Sequence, residues 1–338
     1  MRHLHAVHSK EQKMTTWFIT GVSRGLGEAL AKAALSHGDT VVGTVRSGTV
    51  SFGHDTGSLH ILNVDLADGA SVEAVVKDAF NLVGKIDVIV NNAGYGLLGA
   101  LESATDAEVE RLFAVDVFAP FRIIRAALPY LRAQGSGHIV NVTSIAGRAP
   151  STGSALYSSA KAALEGLSAA LSLEVASLGI KVTAVAPGAF RTDFLSTHSI
   201  RKSDGAHLAY RDTIGKSSAA FDAAAGHQLG DPERAAAAIV SVVRSENPPL
   251  HLLLAATPCV VCVRSSIRWW MKSMVGRRSH VAPIIRRRED DANTPSMGSL
   301  RQSRHRNWRR AWNRFGNSEA ATIKGRSCGC KRSQSSGE

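Results

Sequence analysis

A doubly wound, parallel α/β sheet is the fold this sequence predicts, on three observations. Short, almost wholly apolar and β-branched runs recur between residues 16 and 255. Amphipathic stretches of helical length separate most of them, and the first run opens directly into a glycine-rich turn. Strands apolar on both faces belong in a sheet covered on both faces. Alternation of strand and helix at this spacing makes such a sheet parallel.

TWFIT (16–20) is the first strand, and its glycine turn leads into a helix from about Gly25 to His37. TVVGTV (40–45) and LHILNVD (59–65) are the second and third strands, and IDVIVNNAG (86–94) is the fourth. GHIVNVTS (137–144), IKVTAVAPG (180–188) and HLLLA (251–255) complete the sheet as the fifth to seventh. Helices are expected over 69–83, 106–132 and 154–178. Residues 14–255 are thus expected to form one domain.

The formal charge of +12 suggests a nucleic-acid or membrane-surface protein until the chain is divided. Residues 1–255 hold 22 Lys+Arg against 23 Asp+Glu, whereas residues 256–338 hold 18 against 5. The basicity therefore belongs to the tail. All four cysteines (Cys259, Cys262, Cys328, Cys330) and four of the five tryptophans lie there too. A cysteine-free stretch of 255 residues has no disulfide or thiolate metal site and fits a cytoplasmic location. No run reaches the roughly 18–20 apolar residues of a membrane span, and MRHLHAVHSKEQK has no apolar core of a signal peptide.

The turn TGVSRGLG (20–27) places Gly21, Gly25 and Gly27 where a strand meets a helix. Glycine there allows a sharp turn, close approach of backbone to a pyrophosphate, and tight helix–strand packing. The helix then offers free N–H groups and a positive dipole end to phosphates. Ser23, Arg24 and Leu26 fill the rest of the turn. The second strand ends in GTVRSG, with Arg46 and no acid. An acid in this region would bind the 2′-hydroxyl of NAD, while arginines such as Arg24 and Arg46 suit the 2′-phosphate of NADP. NADP(H) is expected over NAD(H).

YSSAK (157–161) sets Tyr157 and Lys161 on one helix face, and Ser144 ends the fifth strand thirteen residues earlier. Ligands of doubly wound sheets bind outside the carboxyl ends of the strands. A phenol beside an ammonium is easier to ionise and can act as acid or base while hydride moves.

TGVSRGLG, NNAG (91–94), Ser144, YSSAK and the PG of APGAFRTDF (186–194), in this order and spacing, resemble the short-chain dehydrogenase/reductase family. TWFITGVSRGLG, NNAGYGLLGALE and NPPLHLLL look most like its 17β-hydroxysteroid-dehydrogenase-like branch. The resemblance covers about residues 14–254. It implies a Rossmann fold, Tyr157 as general acid/base, Ser144 polarising the carbonyl oxygen, and Lys161 holding the nicotinamide ribose and lowering the tyrosine pKa. It also implies that Asp65, followed by Leu66, meets the adenine. Asn92, Ala93 and Gly94 would flank the adenosine ribose, and Pro187, Gly188 and Thr192 the nicotinamide end. Relatives commonly pair helices 106–132 and 154–178 into a dimer face, so a homo-oligomer, dimer or tetramer, is expected.

One departure stands out. Where the family usually has VNVFGP, this chain reads VDVFAP, with Asp116 at the asparagine position. That asparagine is thought to hold a water in a proton relay to the lysine. An ionised aspartate can accept hydrogen bonds there but cannot donate. Slower turnover or a shifted pH optimum is expected, and a nucleotide sensor or scaffold that does not turn over is the alternative.

Residues 190–230 are expected to form a substrate flap. Tyr95, Leu97, Leu98 and Phe190 suggest a partly apolar pocket for a lipophilic carbonyl or alcohol. His198, His207 and His227 stand singly and read as surface residues; no metal ligand set is expected. Residues 1–13 read as an extension ahead of a working start at Met14. Residues 256–338, with fifteen arginines against three lysines, read as disordered or as the product of a frameshift near codon 255. The aromatic–cation mixture WWMK and NWRRAWNRF leaves binding of anionic lipid or nucleic acid open, and the cysteine spacing leaves a zinc site open.

Overall fold

The computed structural model describes residues 14–53, 56–196, 199–203 and 208–254. The N-terminal extension, the basic tail with its cysteines and tryptophans, His198 and His207 lie outside the described residues. The chain runs β1 (Thr16–Thr20), α1 (Gly25–Leu35), β2 (Thr40–Val45), β3 (Ser58–Asn63), α2 (Gly69–Val83), β4 (Val88–Asn91) and β5 (Gly96–Leu98). It continues through α3 (Asp106–Phe113), α4 (Ala119–Gln134), β6 (Gly137–Val142), α5 (Ala155–Val175), β7 (Ile180–Pro187) and β8 (Ile200–Lys202). Helices α6 (Lys216–Ala224) and α7 (Pro232–Val243) lead to β9 (His251–Leu254).

Seven strands form one sheet in the order β3-β2-β1-β4-β6-β7-β9, with every pairing parallel. The chain moves outward from β1 to β3, then returns to β4 and moves the other way. The crevice at the carboxyl ends of β1 and β4 is therefore the switch point where such sheets take their ligands.

Strict side-chain alternation explains the continuous apolar runs. Trp17 and Ile19 of β1 pack with α1 and α7 on one face, while Phe18 packs with α2 and α4 on the other. All three are essentially inaccessible to solvent; truncating Phe18 to Ala would cost about 3–5 kcal/mol. The buried Asp39 carboxylate ties the two ends of this region together. It accepts from the Thr15 N–H (3.0 Å), the Trp17 indole (2.9 Å) and Arg244 at the end of α7 (2.8 Å).

The helix expected over 106–132 is interrupted. A π-helical turn, Ala114–Phe118, separates α3 from α4, with the Ala119 N–H reaching back to the Ala114 carbonyl. Pro120 has no N–H to donate to the carbonyl four residues earlier, which is that of Asp116. The wider turn is where the helix absorbs that missing bond.

Two further strands, β5 and β8, pair in parallel outside the main sheet. Three residues each, with glycine, arginine and lysine among them, they carry too little periodicity to be read from sequence.

Candidate active site

A cavity of about 690 Å³ opens at the switch point, a volume typical of small-molecule sites. Every residue expected at the cofactor end lines it: Gly21, Ser23, Arg24, Gly25, Leu26, Gly27, Arg46, Asp65, Leu66, Asn92, Ala93, Gly94, Pro187, Gly188 and Thr192. So do Ser144, Tyr157 and Lys161.

The glycine turn is held by steric necessity. A Cβ on Gly27 would lie 2.2 Å from the Gly21 carbonyl oxygen and 2.4 Å from Asn92 Nδ2. Gly25 has φ +62°, a left-handed conformation that favours glycine. Arg24, at the N-cap of α1, makes no side-chain capping bond. The N-terminal turn of α1, Gly25 to Gly27, lines the cavity, as a pyrophosphate-binding helix requires. Asn92 braces the turn, its Nδ2 donating to the carbonyls of Thr20 (2.9 Å) and Gly21 (3.2 Å). These features fit a dinucleotide.

Ser144 follows β6 in extended conformation, and its Oγ accepts from the Ala146 N–H at 3.1 Å. Tyr157 and Lys161 project from successive turns of α5, both buried. Burial pushes the Tyr157 phenol above its ordinary pKa; Lys161 and Ser144 pull it down, and Asp116 pushes it further up. The expected lowering by Lys161 is therefore present but outweighed, because burial penalises the phenolate more.

Asp116 lies behind the cavity wall, inside the π turn. Its Oδ2 is 3.0 Å from Lys161 Nζ, and its Oδ1 accepts from the Tyr95 N–H at 3.1 Å. Lys161 also donates to the Val142 carbonyl at 3.3 Å. Burial alone would lower the lysine pKa, but Asp116, then Tyr157, reverse this and hold it above its ordinary value. Asp116 itself is raised by burial, against the opposing pull of Lys161. Gly94 must be glycine beside this pair, since a Cβ would stand 2.9 Å from Asp116 Oδ2.

A second clamp joins the Ser144 loop to α5. Arg148 grips the Glu165 carboxylate through Nε and NH2, both at 3.0 Å. Thr143 donates to the same carboxylate at 2.5 Å, and His251 of β9 lies 3.4 Å away. Glu165 is one turn beyond Lys161, so the strand end carrying Ser144 and the helix carrying Tyr157 are braced together. Despite burial, the Glu165 carboxyl is held below its ordinary pKa by hydrogen bonds from His251 and Thr143 and by Arg148. The family motifs pass over this clamp.

On the substrate side, Tyr95, Leu98 and Phe190 line the cavity, but Leu97 does not. Because β5 alternates, Leu97 turns away and packs with Leu112 and Ala160. Phe194 stands 5.9 Å from the Tyr157 ring, centre to centre. Arg111, unmarked in the sequence, also lines the cavity, 3.8 Å from Asp65. His227 is exposed. Among the described residues no cluster of metal-binding side chains occurs, and no helix is long and apolar enough to cross a membrane.

A family model described as short chain dehydrogenase matches residues 15–202. The chain belongs to the short-chain dehydrogenase family. This family member is 37% identical to Oxidoreductase BOA17 of Botryotinia fuckeliana over 70% of this chain and 88% of the relative. It is 33% identical to a 3-ketodihydrosphingosine reductase of Bacteroides thetaiotaomicron, over 75% and 91%. Among solved structures, a short-chain dehydrogenase from Streptomyces avermitilis matches with TM-score 0.65 and 36% identity, over 80% of this chain and 99% of that one. A metagenomic short-chain oxidoreductase in complex with NADP matches with TM-score 0.55 and 25% identity, over 71% and 96%.

Proposed function

We propose that this family member is an NADP(H)-dependent oxidoreductase acting on the carbonyl or secondary alcohol of a small lipophilic substrate, with Tyr157 as general acid/base. The observation that carries this reading is the convergence of Ser144, Tyr157 and Lys161 on one wall of a cavity whose other end is the glycine turn. When bound, the nicotinamide supplies or accepts the hydride. Ser144 holds the substrate oxygen by a hydrogen bond, and Tyr157 gives its hydroxyl proton to that oxygen as the carbonyl is reduced. In oxidation Tyr157 takes the proton back. A phenol kept protonated by burial is suited to the donor role in the reductive half of this cycle. Lys161 donates one N–H to the Val142 carbonyl and faces Asp116 as an ion pair, which leaves donor capacity for a ribose hydroxyl.

Arg24 and Arg46 at the cavity wall, with no acid at the end of β2, support NADP(H) over NAD(H). The NADP-bound structural relative supports the same cofactor. The relative named 3-ketodihydrosphingosine reductase supports a lipophilic ketone, and no steroid label is carried over from the branch resemblance. Phe121 and Leu173, exposed on α4 and α5, support the dimer face implied by the family resemblance.

The test is NADPH oxidation against a panel of lipophilic ketones and aldehydes. In Tyr157→Phe, kcat should fall about 10²–10⁴-fold while the NADPH Kd stays with the wild type. In Arg46→Ala, NADPH binding should weaken about 10-fold or more, as for loss of one charge-assisted hydrogen bond, while NADH binding barely changes. The buried Asp116–Lys161 pair favours one alternative, a protein that holds the nucleotide without turnover. Tight NADPH binding with no reaction across the panel would establish it.

A further inference from the structure

Gln228 lies in the segment between α6 and α7 and lines the same cavity as Tyr157. It is 4% exposed, and neither its Nε2 nor its Oε1 has a hydrogen-bond partner among the described residues. Burying both ends of an amide unpaired is unfavourable, and leucine or methionine would fill the space without that penalty. The segment is not free to swing. The Arg191 N–H donates to the Gly230 carbonyl at 2.7 Å, and the Gly230 N–H donates to the Ala189 carbonyl at 3.2 Å. A Cβ at Gly230 would fall 2.6 Å from both the Ala189 oxygen and the Phe190 ring, so the two backbones are pressed together. Gln228 is thereby fixed beside the stretch that follows β7.

Phe190, Phe194, Leu195, Ile200 and Phe221 make the nearby lining largely apolar, with Asp193, Ser199 and Arg201 as its charged and polar members. An amide offers two donors and a carbonyl acceptor. Its complement must both accept and donate, which a hydroxyl or another amide does. A carboxylate or ether only accepts, and an ammonium only donates. We infer that Gln228 is a specificity residue: its amide receives a hydroxyl or amide function carried, away from the reacting carbonyl, by an otherwise lipophilic substrate.

This role rests on the oxidoreductase reading above. The probes are ω-hydroxy-2-alkanones of graded length, each compared with the 2-alkanone of equal length, using the full chain and NADPH. At one chain length the hydroxyl should raise kcat/KM by about tenfold or more, and in Gln228→Leu and Gln228→Met that ratio should fall to about one. The unliganded Gln228→Leu protein should also melt higher than the wild type. A ratio near one at every length, or a ratio that survives in both variants, would overturn the assignment. So would an NADPH Kd that weakens in step with the ratio, since the amide would then belong to the cofactor.

If no ketone is turned over, the same pairs are compared by the Tm shift each gives the NADPH-saturated protein. A hydroxyl-dependent shift lost in Gln228→Leu supports the anchor even as the oxidoreductase reading fails. Equal shifts from both members of every pair overturn it.

Discussion

Along β1, β2, β4, β6 and β7 nearly every residue is buried, whereas α6 buries none and β8 only Ile200. The first group supplies the glycine-turn end of the cavity and the wall that carries Ser144; the second belongs to the stretch expected to form a flap. One region is a packed core whose strand ends happen to face a ligand. The other is a thin cover whose side chains are free to differ without unfolding the sheet. On the proposed function, stability and chemistry share the first region, and selectivity is left to the second.

The sharpest way to break that division is the same substitution in each region. Gly27→Ala sets a methyl against the Gly21 carbonyl and Asn92, both of which belong to the packed turn and cannot retreat. A loss of about 3 kcal/mol or more is expected, with nucleotide binding lost alongside. Gly215→Ala, in the π-helical turn before α6, meets nothing closer than 3.9 Å. It should stabilise by up to about 1 kcal/mol, because alanine loses less backbone entropy in a helix. Urea unfolding of the two variants measures both; equal losses would show that the flap is as tightly packed as the sheet.

This asymmetry also explains what was legible in the sequence. Strand runs, the glycine turn, Ser144, Tyr157 and Lys161 could be read because packing and backbone geometry restrict those positions to few residue types. Gly27 is such a case: the clash that demands it is with its own turn. Leu97 was misjudged because its distance along the chain from Tyr95 says nothing about which face of β5 looks into the cavity. Gln228, Arg111 and the Arg148–Glu165 clamp were missed for a different reason. Each depends on residues from separate elements meeting in space, and none carries a local pattern. The π turn at Asp116 had a local cue in Pro120, but a proline near the start of a helix is ordinary and does not announce a widened turn.

Acid should weaken the sheet before the flap matters. His138, buried in β6 beside Thr183 Oγ1 at 2.9 Å, has its pKa pushed down to about 4 by burial and then by Lys181. It stays neutral in the folded chain while the unfolded chain takes up a proton near the ordinary value of 6.5. The unfolded state therefore binds more protons between those values. Stability is full above about 6.5 and is lost as pH falls toward about 4, by roughly 3 kcal/mol in all. His138→Gln should flatten that slope in urea unfolding followed across this range. A slope unchanged by the substitution would mean that the acid sensitivity in this range belongs to other groups.

The smallest expected effect lies behind the wall of the first region, at Asp116. Its carboxylate raises the Tyr157 pKa and forms an ion pair with Lys161. In Asp116→Asn the acceptor toward the Tyr95 N–H remains, but the charge that opposes phenolate is gone. The basic limb of the kcat/KM profile should therefore move to lower pH, and turnover at neutral pH should rise by about two- to tenfold as the phenol comes closer to the working pH. Tm should fall, since the buried ammonium loses its counter-ion, so activity is compared well below the variant's unfolding range. KM for the carbonyl substrate should hardly change, because Asp116 sits behind the wall and its one bond to a cavity residue on that side, from the Tyr95 backbone N–H, is kept by asparagine. A limb that stays put, or a change confined to KM, would mean that the ion pair only supports the π turn and leaves the tyrosine untouched.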